Sequence, residues 1–250
     1  MQPDPSLSLL FAPGTRPTAD RMAALIEAAA RDGLAARVSH CPPAEQGWLE
    51  VLASGLTFDV RGLAPAKSAP TPAIQDSFGF DDDRPTATDH EALTLLPASH
   101  ILAGAAQMPV VRTMMGLAAN LALHLPVRAV AWGPAQTVME PRYFSRAVMN
   151  WLAGGPFPAH GLVALQPRAD GTIVSRGLVF FTGQEMQMEA KTGESPAEAQ
   201  SHAAFAIDGL IRHGAIDEPV RLAQGPSALI AEPSKVGKLV LVWREATHAL

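Results

Sequence analysis

Apolar positions recur along this chain at two spacings, close to two and close to 3.6 residues, and the switches between them outline its elements. Leu7 to Ala12 reads as a short buried strand, closed by a Pro13-Gly14 turn. Thr18 then stands as a helix N-cap, Met22, Leu25, Ile26 and Ala29 fall at helical spacing, and Gly33 supplies the stop. Strands follow at Ala36 to His40, Trp48 to Leu52 and Leu56 to Val60, the last alternating Leu56, Phe58 and Val60 with Thr57 and Asp59. Further on, the pattern predicts a strand at His100 to Ala105, a helix from Pro109 to His124 and a strand at Val127 to Trp132. A helix opens at Pro141 and carries Phe144, Ala147, Val148, Trp151 and Leu152 on one side. The strand Leu162 to Gln166 turns at Asp170-Gly171, a hairpin signal, into one long strand running through Arg176 to Glu189. There the all-apolar Leu178, Val179, Phe180 and Phe181 give way at Gly183 to Glu185, Gln187 and Glu189 alternating with Met186 and Met188. Ser195-Pro196-Ala197-Glu198 is a capping box with proline at the first helical position, opening a helix to about Arg212. Strands around Leu229 and at Leu239 to Trp243 complete the pattern.

Hairpins mixed with helices argue for an α+β fold: two lobes of mostly antiparallel sheet, ferredoxin-like halves with helices packed on one face of each. A doubly wound α/β sheet is the alternative, because strand-helix-strand units occur in both. Leu7 to Val38 and His100 to Val130 each hold such a unit, which suggests a structural duplication without residue identity. Between them Pro65, Pro70, Pro72, Pro85 and Pro97 interrupt regular structure. The expected organisation is therefore an N-terminal part over 1–63, a Pro-rich loop, linker or lid over 64–98, and a C-terminal α+β lobe over 99–250.

Composition narrows the function classes. The 250 residues are 48% hydrophobic and 17% charged, which is ordinary for a globular protein, and the formal net charge is −5. That sign argues against nucleic acid or an anionic membrane as a general partner. Fifteen of the nineteen basic residues are arginine and alanine is abundant, as G- and C-rich bacterial codon usage produces. Cys41 is the single cysteine, so no intrachain disulfide and no cysteine zinc cluster can form. With no secretory signal pattern and no run long enough to span a bilayer, a cytoplasmic location is expected.

The chemical motifs are weak. Gly237-Lys238 lacks the first glycine and the hydroxyl residue of a phosphate-binding loop, and Ser175 lies in a strand rather than on a nucleophile elbow. Asp81, Asp82 and Asp83 form an acidic loop without the central glycine of a calcium site. Glu185 and Glu189 on one strand would stand about 13 Å apart, too far for paired carboxylate catalysis. The eight histidines show no metal-binding spacing on a helix. His100 stands out because it opens a buried strand, where an imidazole could serve as base or ligand. His40 and Cys41 are adjacent and point apart on a strand, while Met114-Met115 and Met186 with Met188 suit a core or a flexible apolar groove. No cofactor and no metal is expected.

Three stretches, "SHILAG" at Ser99 to Gly104, "AVAWGPAQTVMEPRYF" at Ala129 to Phe144 and "RGLVFFTGQEMQME" at Arg176 to Glu189, resemble a family of bacterial proteins numbered 4261 in the domain-of-unknown-function series. The resemblance covers about the C-terminal two thirds and implies no activity, cofactor or catalytic residue. The leading expectation is a non-enzymatic cytoplasmic domain that binds a protein or peptide partner, or a second copy of itself. The competing one is an enzyme or small-ligand binder with its site in a cleft between lobes, for which His100, Glu140, Arg176 and Glu185 are the candidate residues.

Overall fold

Leu7–Phe11 (β1) is buried along its whole length, because it is a central strand covered on both faces. The computed structural model that shows this describes residues 5–31, 33–81, 90–189, 193–222, 228–235 and 238–244. The chain divides into two compact units, Pro3–Gly155 and the part from Pro156 onward, each with its own sheet.

In the first unit, Ala19–Arg31 (α1) follows β1, with Thr18 Oγ1 accepting from the amide of Arg21 at 3.3 Å. Strands Ala36–His40 (β2), Trp48–Ala53 (β3) and Leu56–Arg61 (β4) form an antiparallel meander. Asp76–Phe78 (β5), Glu91–Pro97 (β6), Met108–His124 (α2), Val127–Trp132 (β7), Thr137–Met139 (β8) and Pro141–Leu152 (α3) complete it. The eight strands are ordered β2-β3-β4-β6-β1-β7-β8-β5. Helix α2 packs on one face, which carries Leu9, Phe58, Val60, Leu93 and Leu95, and places Val111, Met114, Met115 and Ala118 in that core. The opposite face carries Leu10, Ala92, Ala129, Ala131 and Val138, on which Ala69, Ile74 and Phe80 pack. The Pro-rich segment is thus neither linker nor lid in its described parts: its first half lies over one sheet face and its end is β6, paired to both β1 and β4. The division of the chain falls at Gly155 rather than in 64–98. Asp82, Asp83 and Pro85 lie outside the described residues.

His100 does not open a strand. Ser99–Gly104 is a 3₁₀ helix following β6, and His100 is exposed on it. The strand lies one element earlier, at Glu91–Pro97, with Leu93 and Leu95 on the α2 face and Ala92 on the other. The second strand-helix-strand unit is therefore β6-α2-β7, with β1 between its two strands, whereas three strands separate β1 from β2 in the first, so the two units are not copies in topology.

The second unit contains Ala159–Leu162 (α4, a single irregular turn), Ala164–Pro167 (β9), Thr172–Arg176 (β10), Leu178–Thr182 (α5), Glu185–Glu189 (β11), Pro196–His213 (α6), Val220–Arg221 (β12), Leu229–Pro233 (β13) and Leu239–Arg244 (β14). Its sheet is ordered β12-β13-β14-β11-β10-β9. The hairpin at Asp170-Gly171 forms as its sequence predicts, pairing β9 with β10. The expected long strand does not. Gly177 at φ 93° and Gly183 at φ 80° bracket one helical turn, and both conformations are strained for any residue with a Cβ. Leu178, Phe180 and Thr182 turn inward, so the apolar run is short helix rather than a strand buried on two faces. The capping box is present in full: Ser195 Oγ accepts from the Glu198 amide at 3.3 Å and Glu198 Oε2 accepts from the Ser195 amide at 2.9 Å. Helix α6 buries Ala199, Ala203, Ile207 and Leu210, the inward side of the sheet supplies Ile173, Met186, Met188, Ala231, Val240 and Val242, and both methionines are therefore core.

The fold is α+β in two sheet lobes. Among the described ladders only β5–β8 and β11–β14 are parallel, which sets it apart from a doubly wound sheet. Eight and six strands replace the four of a ferredoxin-like half.

Candidate functional site

The four residues singled out in the sequence fall in different places with structural partners. Glu140 is the N-cap of α3, its Oε2 accepting from the amide of Tyr143 at 2.6 Å. His100 Nε2 lies 2.8 Å from Thr57 Oγ1 at the β4 end of the sheet. β4 and the β8 end beside Glu140 are four strand spacings apart, roughly 19 Å. In the second unit, Glu185 Oε2 accepts from Ser175 Oγ, Glu185 Oε1 accepts from the amide of Gly177 at 2.8 Å, and Ser175 Oγ in turn accepts from the amide of Met186 at 2.7 Å. This clamp replaces the ladder where β10 leaves β11 to enter α5. Arg176 is half-buried at the same strand end, opposite Ala164. Within the first unit His100 and Glu140 are thus not brought together, and within the second Arg176 and Glu185 lie at one strand end. Cys41 is exposed, and the His40 ring lies against Trp48, with centroids 5.3 Å apart and the planes tilted by 48°.

A different part of the first unit is concave. A 3₁₀ turn at Ala44–Gln46 ends at Gly47, whose φ is 65°, and β3 starts at Trp48. Directly across the ladder from Trp48 is Arg61, the last residue of β4, followed by Gly62. The amides of Gly62 and Leu63 both donate to the carbonyl of Gly47, at 2.8 and 2.9 Å, tying the open end of this hairpin. The chain then turns back and brings Lys67 to the same place. Gln46, Gly47, Trp48, Arg61, Gly62 and Lys67 enclose a recess of about 380 Å³. It lies on the sheet face that Ala69, Ile74 and Phe80 cover further along, since Arg61 pairs with Thr94 two residues from Ala92.

The walls are held from behind. The Arg16 side chain, 9% exposed, donates from Nε to Glu91 Oε2 at 2.9 Å, from Nη1 to the carbonyl of Gly62, and from Nη2 to that of Ala66 at 3.2 Å. Glu91 Oε2 also accepts from the amide of Gly14 at 3.0 Å. The Arg16 hydrogen bond, aided by that amide and by the guanidinium charge, holds the Glu91 carboxyl below its ordinary pKa against a smaller opposing effect of burial. Ala69 donates to the carbonyl of Ala92 at 3.0 Å, which completes the attachment of the loop. Within the recess, Arg61 Nη2 donates to Oδ2 of the buried Asp59 at 2.6 Å, and Trp48 Nε1 donates to Gln46 Oε1 at 3.3 Å. Lys67 is exposed and pairs with no acidic side chain among the described residues. The hairpin register was readable in advance, because a two-residue turn at Ser54-Gly55 sets Trp48 opposite Arg61. Lys67 carries no such signal, since only the fold of the loop brings it there.

The second unit offers a face instead of a recess. Along β10, β11, β13 and β14, buried residues alternate with Val174, Gln187, Ile230, Glu232, Leu239, Leu241 and Trp243, which point away from the α6 side. Val174, Gln187, Leu241 and Glu232 form one row across four strands. Leu241 is 37% exposed and its five named neighbours Val174, Gln187, Glu232, Leu239 and Trp243 are half-buried.

Among the described residues no three His, Cys, Asp or Glu side chains are placed to hold a metal ion, and no helix is long and apolar enough to cross a membrane. No family model, curated protein or solved structure matches the chain.

Proposed function

We propose that the chain is a non-enzymatic binding domain of the bacterial cytoplasm that engages a protein partner through the outer face of its second sheet, and that this partner is a second copy of the chain. The observation that carries the reading is Leu241, a large apolar side chain exposed at the middle of a sheet face rather than at its edge. Leu239 and Trp243 on the same strand and Ile230 and Val174 on its flanks extend the apolar centre. Charges of both signs surround it: Glu232 and Glu189 nearer the centre, Arg221 on the edge strand β12 and Arg176 at the end of β10. An apolar centre with charges of both signs around it suits a self-complementary two-fold interface. The net charge of −5 gives no general attraction to nucleic acid. Membership of the 4261 family of unknown function, suggested by the three stretches quoted above, is compatible with this reading and adds no activity.

The test is molar mass by light scattering at about 100 µM, well above a micromolar dissociation constant. The wild type is expected to be a dimer, and Leu241→Glu a monomer with an unchanged circular dichroism spectrum. A wild type that is monomeric at that concentration, or a Leu241→Glu dimer, refutes the reading.

A further inference from the structure

We infer that the recess between Gln46, Trp48, Arg61 and Lys67 binds a small organic anion, a carboxylate or phosphate carried on a flat ring, with the ring against Trp48 and the charge between Arg61 and Lys67. This site is independent of the sheet face of the second unit and stands or falls without it.

The electrostatics single it out. Acidic residues outnumber basic ones across the chain, 24 to 19, yet among the described residues the recess is lined by two cations and no acid. Of the two, Arg61 is oriented by one bond to Asp59 through a single terminal nitrogen, and its side chain is 57% exposed, so its remaining donors are left to a ligand. A guanidinium fixed on one side by a buried carboxylate is preorganised for a bidentate anion on the other. Lys67 supplies a second charge, exposed and without an acidic partner among the described residues. Two cations of this kind, one at the end of a strand and one on a loop tied down to that strand, favour a ligand with more than one anionic oxygen.

The walls are rigid where a binding site needs them to be. Gly62 has φ 89°, and a Cβ there would stand 2.7 Å from both the Ala69 nitrogen and the Ala92 carbonyl oxygen. Gly47 has φ 65°, and its Cβ would stand 2.3 Å from that of Ala66. Backbone therefore forms the floor at both positions, and the buried Arg16 pins the carbonyls of Gly62 and Ala66 beneath it. A volume of about 380 Å³ lies at the small end of ligand sites and suits one ring with its anionic group. Trp48 is the aromatic wall, its ring backed by His40 and its indole N–H already satisfied by Gln46. That leaves the ring to stack rather than to donate.

The experiment is isothermal titration of the full chain with adenosine monophosphate, phthalate and inorganic phosphate. The wild type is expected to bind at least one of the two ring-bearing anions more tightly than inorganic phosphate, and which one distinguishes a phosphate from a carboxylate ligand. Lys67→Glu reverses an exposed charge and leaves the Asp59–Arg61 pair intact; it is expected to weaken binding by about tenfold or more, with an unchanged melting temperature. Trp48→Leu is expected to remove the preference for the ring-bearing anion and leave inorganic phosphate unaffected. Absence of binding by all three anions at millimolar concentration overturns the proposal, as does Lys67→Glu binding like wild type. Equal binding of all three anions overturns the role given to Trp48.

Discussion

Gly62→Ala and Gly55→Ala separate two costs that usually arrive together. Both glycines have positive φ, 89° and 81°, so both substitutions carry the left-handed backbone penalty of roughly 1–2 kcal/mol. Only Gly62 adds a collision. Around Gly55 nothing lies within 4 Å of the new Cβ, whereas at Gly62 the Ala69 nitrogen and the Ala92 carbonyl oxygen both stand at 2.7 Å. Those two atoms are the partners of the hydrogen bond that fastens the loop to β6, so room for the methyl group is made by opening it. Losing that bond costs roughly 1 kcal/mol, and displacing the packed loop roughly 1–2 kcal/mol more. The expected difference between the variants is therefore about 2–3 kcal/mol, or roughly 4–12 °C in melting temperature for a unit of this size. Thermal unfolding followed by tryptophan fluorescence reports it, because Trp48, Trp132 and Trp151 of the four tryptophans lie in the first unit. Equal destabilisation by the two substitutions would refute the account of the loop as fastened through Gly62.

Two further tests address other parts of the molecule. The pKa of Glu91 is lowered in the folded chain, so its contribution is fully present above the ordinary value of 4.5 and is lost as pH falls through the lowered one; Glu91→Gln should flatten that acid limb of the stability curve, measured by urea unfolding between pH 3 and 6. Ser195→Ala removes the hydroxyl half of the α6 capping box and should cost about 1 kcal/mol by the same method applied to the second unit, with Ser195→Asp restoring most of it.

The elements that the sequence makes legible are those with a local cause. The α6 start follows from Ser195, Pro196 and Glu198, the β9–β10 hairpin from Asp170-Gly171, and β4 from the alternation of Phe58 and Val60 with polar neighbours. Where the pattern misleads, two structures bury the same residues. Leu178 to Phe181 is apolar at every position, which a strand covered on both faces and a single turn of buried helix satisfy equally. Only the glycines at 177 and 183 distinguish them, by opening and closing the turn in the left-handed region, and a glycine inside an apparent strand reads first as a bulge. Glu91 to Pro97 failed for a different reason. Its apolar residues do not alternate cleanly, with Ala92 beside Leu93 and Leu95 beside Leu96, it follows a Pro-rich stretch and ends in proline, and β6 is a central strand only because residues from β1 and β4 pair with it.

The candidate site shows the same division between local and tertiary causes. The sequence places Glu140 ahead of a helix and Glu185 inside a long strand, but in the structure both stand at element ends, where backbone amides lack partners. Each is occupied in supplying one, Glu140 to Tyr143 at the head of α3 and Glu185 to Gly177 where β10 breaks into α5. The residues that line the recess looked ordinary in sequence because each does something ordinary alone: Trp48 begins a strand, Arg61 ends one, and Lys67 sits in a Pro-rich loop. What joins them is Arg16, some thirty residues from the nearest, whose largely buried side chain pairs with the half-buried Glu91 and spends its remaining donors on the carbonyls of Gly62 and Ala66. A buried arginine that bonds loop carbonyls instead of a second carboxylate fixes the position of that loop more than it stabilises the fold. It leaves Lys67 on the wall of the recess with Arg61 and with no acidic partner among the described residues, an arrangement whose like-charge repulsion an anion would relieve.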